Sequence, residues 1–120
     1  MSDALSLRHD VRDGVTVLTV SGTLDAVTST AFRERCLALL PDAAGGLVVD
    51  IAAVPFVASS GLGTFLLVSE KARTMGRPVV VSGANRNVRD VLAMMNLVRF
   101  LKLQPDVESA LAEIAAASPA

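Results

Sequence analysis

The sequence predicts one α/β domain built on a mixed, mostly parallel sheet with about four helices packed on it. Near the N-terminus, the turn pair Asp13-Gly14 separates two strand-like segments, which is typical of a hairpin. Beyond the hairpin, short apolar segments alternate with segments of helical period, and strand–helix–strand units imply parallel neighbours. The length of 120 residues, 52% of them hydrophobic, suits a single domain that spans residues 1–120.

The hairpin forms the N-terminal edge of the predicted sheet. In its first strand, every second residue from Leu5 through Leu7 and His9 to Val11 lies on one face, the period of a half-buried strand. Its second strand, residues 15–20, is rich in β-branched side chains. The strand is followed by residues 22–25, which end the hairpin. We therefore expect an antiparallel edge beside the parallel strands.

Four helices follow from apolar residues spaced three or four apart. The first has its N-cap candidates at residues 28–30, and the second begins near Ser59 or Ser60 and is stopped by Gly76. The third covers residues 85–95, and the fourth is capped by Pro105-Asp106. The third helix is expected to turn four side chains inward and to end at a left-handed Asn96; the inward residues are Val88, Val91, Leu92 and Met95.

Three short strands separate these helices. The segment Leu47–Ile51 is nearly continuous in apolar residues, which is typical of a strand covered on both faces. Residues 78–82 and a brief piece that begins at Phe100 complete the sheet. We expect the folded core to cover about residues 4–115 and the Ala-rich tail, residues 116–120, to be frayed.

Composition excludes several classes of protein. Eleven Lys and Arg against twelve Asp and Glu leave a net charge of −1, and only 3% of residues are aromatic, which disfavours nucleic-acid binding. Cys36 and His9 are the only residues of their kinds, so the chain cannot form an internal disulfide or a zinc site of clustered Cys and His. Because we find no signal peptide and no apolar stretch long enough to span a bilayer, the sequence predicts a cytoplasmic protein that is not inserted in a membrane. We also expect no bound metal and no cofactor.

The loop between the Leu47–Ile51 strand and the second helix carries the candidate chemistry. Ser59 and Ser60 stand where the helix begins, and one interpretation is that Ser60 only caps it. The other interpretation is a phosphorylation site, because a helix N-terminus offers free amides and the positive end of the dipole. A hydrolase elbow is disfavoured, since neither serine has glycine on both sides at a spacing of two and no histidine is near in sequence.

Asp25 ends the second strand and also has two interpretations. It can be a turn or capping residue before the first helix, or a surface carboxylate for a partner. If the strands before Asp25 and before Ser59 are parallel neighbours, their carboxyl ends open on one edge, where partners of α/β sheets commonly bind. The spacing alone does not decide between these interpretations.

Two segments resemble the signature of STAS domains. Val20-Ser21-Gly22-Thr23-Leu24-Asp25 is similar to the family segment V-x-G-x-L-D. Residues 47–63 resemble L-V-L-D-x-x-x-V-x-F-x-D-S-S-G-L-G, with Ala58 in place of the motif aspartate. Residues 88–97 match a later V-R-x-x-L…G-L region, with Asn96 where glycine is usual, so the resemblance covers almost the whole chain in order.

The pattern is most similar to bacterial anti-sigma factor antagonists, which are regulators and not enzymes. The resemblance implies that the partner is an anti-sigma factor with serine-kinase activity. When the antagonist binds this partner, the partner releases its sigma factor. The resemblance also implies phosphorylation at Ser59, with Ser60 as second choice, and a phosphatase that resets the switch. The partner-binding residues that it implies are Thr23, Asp25, Ala58, Ser59, Ser60, Gly61 and Leu62.

Two further hypotheses remain open from the sequence. The chain could be a STAS interaction module that is never phosphorylated, either a constitutive antagonist or a cytoplasmic subunit of a transport complex, and Ala58 favours this. It could also be a small enzyme or nucleotide-binding protein, although no phosphate loop, metal cluster or catalytic triad supports that.

Overall fold

The computed structural model describes residues 5–99 and 101–117 of the chain. Within these ranges, helices alternate with the strands of one sheet. The elements in chain order are β1 (Ser6–Arg12), β2 (Val15–Ser21), α1 (Ser29–Leu39), β3 (Leu47–Ala53), α2 (Ser59–Met75), β4 (Val79–Ser82), α3 (Arg86–Met94), β5 (Lys102–Gln104) and α4 (Val107–Ala117). Short 3₁₀ turns follow α1 and α3, at Leu40–Asp42 and Leu97–Arg99.

The sheet has five strands in the order β1-β2-β3-β4-β5. The β1–β2 pair is antiparallel, and the other three pairs are parallel. The hairpin turn is a two-residue turn, since Asp13 (φ 54°) and Gly14 (φ 79°) both adopt positive φ angles and Arg12 pairs with Val15. The predicted fold class is therefore confirmed.

Helices cover both faces of the sheet. One face lies under α1, α2 and α3, where Phe32 and Phe65 meet edge to face with ring centroids 5.2 Å apart. The other face lies under α4, whose inward side chains Ala110, Leu111 and Ile114 pack on valines of β2, β3 and β4. Burial on both faces explains why β3 is a nearly continuous apolar run.

Two local expectations about burial are wrong. β1 is an edge strand, and only its first inward positions, around Leu7, join the core, while His9 and Val11 are exposed. Met95 was expected to point inward, but it is 57% exposed. The reason is that α3 ends at Met94, and Asn96, with the predicted left-handed backbone (φ 61°), turns the chain away.

Some expectations concern the ends of the chain. α4 continues to Ala117, and residues 118–120 of the tail that was expected to be frayed lie outside the described residues. The same holds for Phe100, which was expected to begin the last strand, and for residue 4, the expected start of the core. Among the helices of the described ranges, none is long and apolar enough to cross a membrane.

Candidate functional site

The candidate site lies at the carboxyl ends of β2 and β3, which are parallel neighbours. Beyond both strands, backbone hydrogen bonds hold the two chain segments together. Leu24 N donates to Phe56 O (3.1 Å), and Ala58 N donates to Leu24 O (2.7 Å). Because Asp25 directly follows Leu24 and Ser59 directly follows Ala58, the structure places both residues on the same edge of the sheet.

Both candidate acceptor serines are exposed and lie in the first turn of α2. The helix begins after Ala58, whose backbone is extended (φ −79°, ψ 172°) and whose carbonyl accepts the first helical hydrogen bond, from Leu62 N (3.0 Å). The expectation that Ser60 caps the helix is therefore wrong, because Ala58 occupies the N-cap position and supplies no side-chain cap. Neither serine hydroxyl forms a hydrogen bond to another residue in the described ranges, so both are available to an enzyme that modifies them.

The local field at Ser59 suits a negative charge. The amides of residues 59–61 lie between the first helical acceptor, Ala58 O, and the first helical donor, Leu62 N, so they have no partner within the helix. The first turn of α2 also contains no acidic residue that would neutralise the positive end of the dipole. A phosphate on Ser59 would therefore stand at a helix terminus that favours anions.

Gly61 allows α2 to approach the segment that carries Asp25. A Cβ atom at this position would lie 2.8 Å from Val57 Cγ1 and 3.1 Å from Leu24 Cβ. Gly61 is buried, as is Leu62, which is 5% exposed and belongs to the core. Gly61 and Leu62 therefore lie on the buried side of α2, whereas Ser59 and Ser60 form the surface of the site.

Asp25 is a turn residue whose charge stays accessible. Its Oδ1 accepts hydrogen bonds from Thr28 N (3.0 Å) and Val27 N (2.9 Å), and these bonds lower the pKa of the carboxyl group. Thr28 Oγ1 in turn donates to Thr23 O (2.7 Å), which fixes the half-buried Thr23 beside it. The bonds from Thr28 N and Val27 N confirm the turn interpretation. The second carboxylate oxygen of Asp25 accepts nothing from the described part of the chain, and its use by a partner stays a prediction.

Two contributions to the site were missed from the sequence. The first is Asn85, the N-cap of α3, whose Oδ1 accepts from Val88 N (2.8 Å). Its Nδ2 donates to Val54 O and Pro55 O (3.3 Å each) and so ties α3 to the loop that leads to Ser59. The capping half of this role was readable from an asparagine before a helix, but the contact across thirty residues was not.

The second missed contribution is apolar and exposed. Val27 is 84% exposed and Phe56 is 54% exposed, and they are close in sequence to Asp25 and Ser59 respectively. A cleft of about 260 Å³ adjoins Phe56, between residues 55–57 and the Asn87–Val91 side of α3. Exposed apolar side chains around polar groups are typical of surfaces that bind another protein.

The chain belongs to the STAS domain family, whose model matches residues 6–110. This match confirms the resemblance that the two signature segments predicted. Over 69 residues, the chain is 33% identical to an anti-sigma-F factor antagonist, RsfB, of Mycobacterium tuberculosis. That alignment covers 58% of this chain and 57% of the relative, so the chain spans little more than half the length of the curated protein that it matches.

Solved structures agree over a larger part of the chain. An anti-sigma factor antagonist from Mycobacterium paratuberculosis superposes with a TM-score of 0.87 at 28% identity, over 96% of this chain and 99% of that one. An RsbS variant from Moorella thermoacetica superposes with a TM-score of 0.79 at 25% identity, over 92% and 95% of the two chains. The fold is thus shared with both of these proteins along nearly its full length.

Proposed function

We propose that this chain is a cytoplasmic anti-sigma factor antagonist that binds an anti-sigma factor with serine-kinase activity and is switched by phosphorylation at Ser59. The observation that carries the proposal is the exposed Ser59 at the start of α2, joined through the Ala58–Leu24 hydrogen bond to the segment that carries Asp25. The names of the mycobacterial relatives support the partner class. In this proposal the chain is a substrate and a ligand of other proteins, not an enzyme, and it needs no cofactor of its own.

The unmodified surface suits a protein partner. Val27 and Phe56 supply exposed apolar area, and the Asp25 carboxylate supplies a fixed charge. The Ser59 and Ser60 hydroxyls are small and neutral, so a partner can close over them at little electrostatic cost. Binding would then sequester the anti-sigma factor and release its sigma factor.

Phosphorylation changes the same surface in a way that opposes binding. A phosphoserine carries about −1.5 to −2 charges at pH 7, and here it would join the Asp25 carboxylate on one sheet edge. The free amides of α2 would stabilise the phosphate in the unbound protein. A buried, unpaired charge at an interface costs roughly 2–5 kcal/mol, which weakens a complex by tens-fold to thousands-fold. A phosphatase that removes the group would restore binding.

The experiment is kinase-dependent phosphate incorporation with matched serine variants. The wild-type chain, Ser59→Ala and Ser60→Ala are incubated with the cognate anti-sigma factor and Mg-ATP, and phosphopeptides are mapped. We expect incorporation in the wild type and in Ser60→Ala, and none in Ser59→Ala. Equal incorporation in Ser59→Ala and the wild type would refute Ser59 as the acceptor.

A second candidate function is a STAS interaction module that is never phosphorylated. Ala58 favours it, because a methyl group stands where the family motif has a carboxylate next to the acceptor. Such a module could be a constitutive antagonist or a subunit of a transport complex. It predicts that Ser59→Ala binds its partner with the wild-type affinity and leaves regulation in the cell unchanged, whereas the switch predicts permanent binding.

A further inference from the structure

The outer edge of β1 presents unused backbone hydrogen-bonding groups. Thr16 N donates to Gly46 O on the β3 side. The backbone amides and carbonyls of the even-numbered residues of β2 therefore point towards β3, and those of the odd-numbered residues point towards β1. Their partners in β1 are the even-numbered residues from Ser6 to Arg12. The amides and carbonyls of Leu7, His9 and Val11 therefore point away from the sheet.

The side chains along this edge are self-complementary. Arg8 and Asp10 lie on one face of β1, two residues apart, and neither forms an ion pair with another residue in the described ranges. Leu7 and Val11 lie on the opposite face, and Val11 is 65% exposed, although it is a β-branched residue in a strand. The opposite charges of Arg8 and Asp10 thus lie one residue to either side of His9. The apolar Leu7 and Val11 lie two residues to either side of it.

We infer that a second copy of this chain pairs with β1, antiparallel and related by a two-fold axis at His9. In this register, Arg8 lies opposite the partner's Asp10, and Leu7 lies opposite the partner's Val11, each contact occurring twice. The outward amides and carbonyls of Leu7, His9 and Val11 exchange hydrogen bonds with their counterparts. The product is one continuous sheet of ten strands with a closed, isologous interface.

The charges select this register over its neighbours. Centring the axis on Arg8 would place that arginine against the same residue of the other copy. Centring it on Asp10 would oppose two aspartates and would also bring Arg8 against the partner's Arg12. Like charges that face each other across antiparallel strands are destabilising, whereas opposite charges contribute about 0.2–1 kcal/mol for each pair.

Two features set the strength of this pairing. The seven residues of β1 extend over about 24 Å, which is a small interface, so the association should be weak and depend on concentration. Arg35 Nη1 already lies 3.4 Å from Leu7 O, but a carbonyl oxygen has a second lone pair for the partner strand. The pairing uses groups outside the Ser59 loop, so it does not depend on the proposed function.

The test is sedimentation velocity from about 10 μM to about 1 mM, the range in which a small interface associates. We expect the wild-type mass to rise from the 12.5 kDa of one chain towards twice that value. His9→Pro removes only an outward amide, so it should keep β1 paired to β2 and stay monomeric. Asp10→Arg should also stay monomeric, and the charge swap R8D/D10R should recover the dimer.

Amide hydrogen exchange gives an independent measurement on the same samples. On raising the concentration, the amides of Leu7, His9 and Val11 should become protected, while those of the even-numbered residues change little. Circular dichroism and thermal melts verify that the His9→Pro variant is folded. A wild-type chain that stays monomeric at about 1 mM, or a dimer that Asp10→Arg leaves intact, would overturn the inference.

Discussion

At the scale of single residues, Asp25 links local structure to the site. Its Oδ1 holds the amides of Thr28 and Val27 in the turn before α1, and its other carboxylate oxygen stays open to a partner. The turn and the surface charge were alternatives from the sequence, and the structure shows that the turn uses one carboxylate oxygen and leaves the other without a partner in the described part of the chain. That result could not be read from the sequence, because it depends on which oxygen accepts the amides.

The pKa of Asp25 leads to a prediction about pH. The amides of Thr28 and Val27 lower this pKa below its ordinary value of 3.8. The unfolded chain therefore binds the proton more tightly, and the stabilisation is present above pH 3.8 and lost as the pH falls through the lower, folded value. We expect the difference in free energy of unfolding between the wild type and Asp25→Asn to be present at neutral pH and to shrink in strong acid.

Denaturant titrations at several pH values measure this difference. Asp90→Asn is the matched control, because the Asp90 side chain accepts no hydrogen bond from the described part of the chain. An effect that comes only from removing a surface charge would appear in both variants. A difference for Asp25→Asn that is constant from neutral pH to strong acid would contradict the role of these amides.

The start of α2 shows where residue-level prediction from sequence fails. Ser60 was a credible cap by residue type, since serine is a favoured N-cap. The cap position is instead set by backbone geometry, and Ala58 takes it because its carbonyl is the first helical acceptor. Propensity therefore located the helix start to within two residues but did not show that the cap position has no side-chain cap and that neither serine hydroxyl is used as one.

At the scale of elements, periodicity predicted the strands and helices well and their edges less well. The hairpin, the buried β3 and the end of α2 at Gly76 (φ 71°) follow from turn residues and apolar spacing, and each is confirmed. The exposed Met95 and the exposed outer half of β1 were missed. In both cases the apolar periodicity of the sequence continues beyond the part of the core on which the element packs. Periodicity carries no information about where the neighbouring element ends.

The packing of α2 on the Leu24 segment gives a prediction at this scale. A methyl group at Gly61 would lie 2.8 Å from Val57 Cγ1, so Gly61→Ala should force the helix away from the edge that holds the site. We expect a loss of about 1–3 kcal/mol in the free energy of unfolding, because overpacking shifts the backbone. Urea unfolding curves of the wild type and the variant measure it.

Gly63 is the matched control two residues along the same helix. A Cβ there has no neighbour within 4 Å, and alanine is preferred to glycine inside a helix by about 0.5–1 kcal/mol. Gly63→Ala should therefore be as stable as the wild type or more so. If both variants gain stability, Gly61 is not the point of close approach that the geometry indicates.

At the scale of the whole molecule, the alternation of apolar strands with helical segments was enough to predict parallel strands beside an antiparallel hairpin. Contacts between elements could not be predicted in detail, because those such as the contact of Asn85 with Val54 O join residues far apart in sequence.

Because aromatic residues are scarce, the exposure of Phe56 is informative. In a chain of 3% aromatic content, Phe56 is 54% exposed three residues before Ser59, whereas Phe32 and Phe65 lie in the core.

The buried thiol of Cys36 offers a probe of the whole fold. Cys36 has no exposed surface, and burial raises the pKa of its thiol to about 12. The thiolate is the reactive form, so an aromatic disulfide reagent should label Cys36 only when the core opens. We expect slow labelling in native buffer, and a rate that rises with denaturant in parallel with global unfolding.

The Thr30→Cys variant provides an internal control for this measurement. Position 30 is exposed on α1, so the variant carries one accessible thiol and one buried thiol on the same helix. Its labelling should show a fast phase and a slow phase of equal amplitude, and the slow phase should match the wild type. A single fast phase in native buffer would show that the core under α1 opens far more readily than the packing of Phe32 and Cys36 in one buried cluster implies.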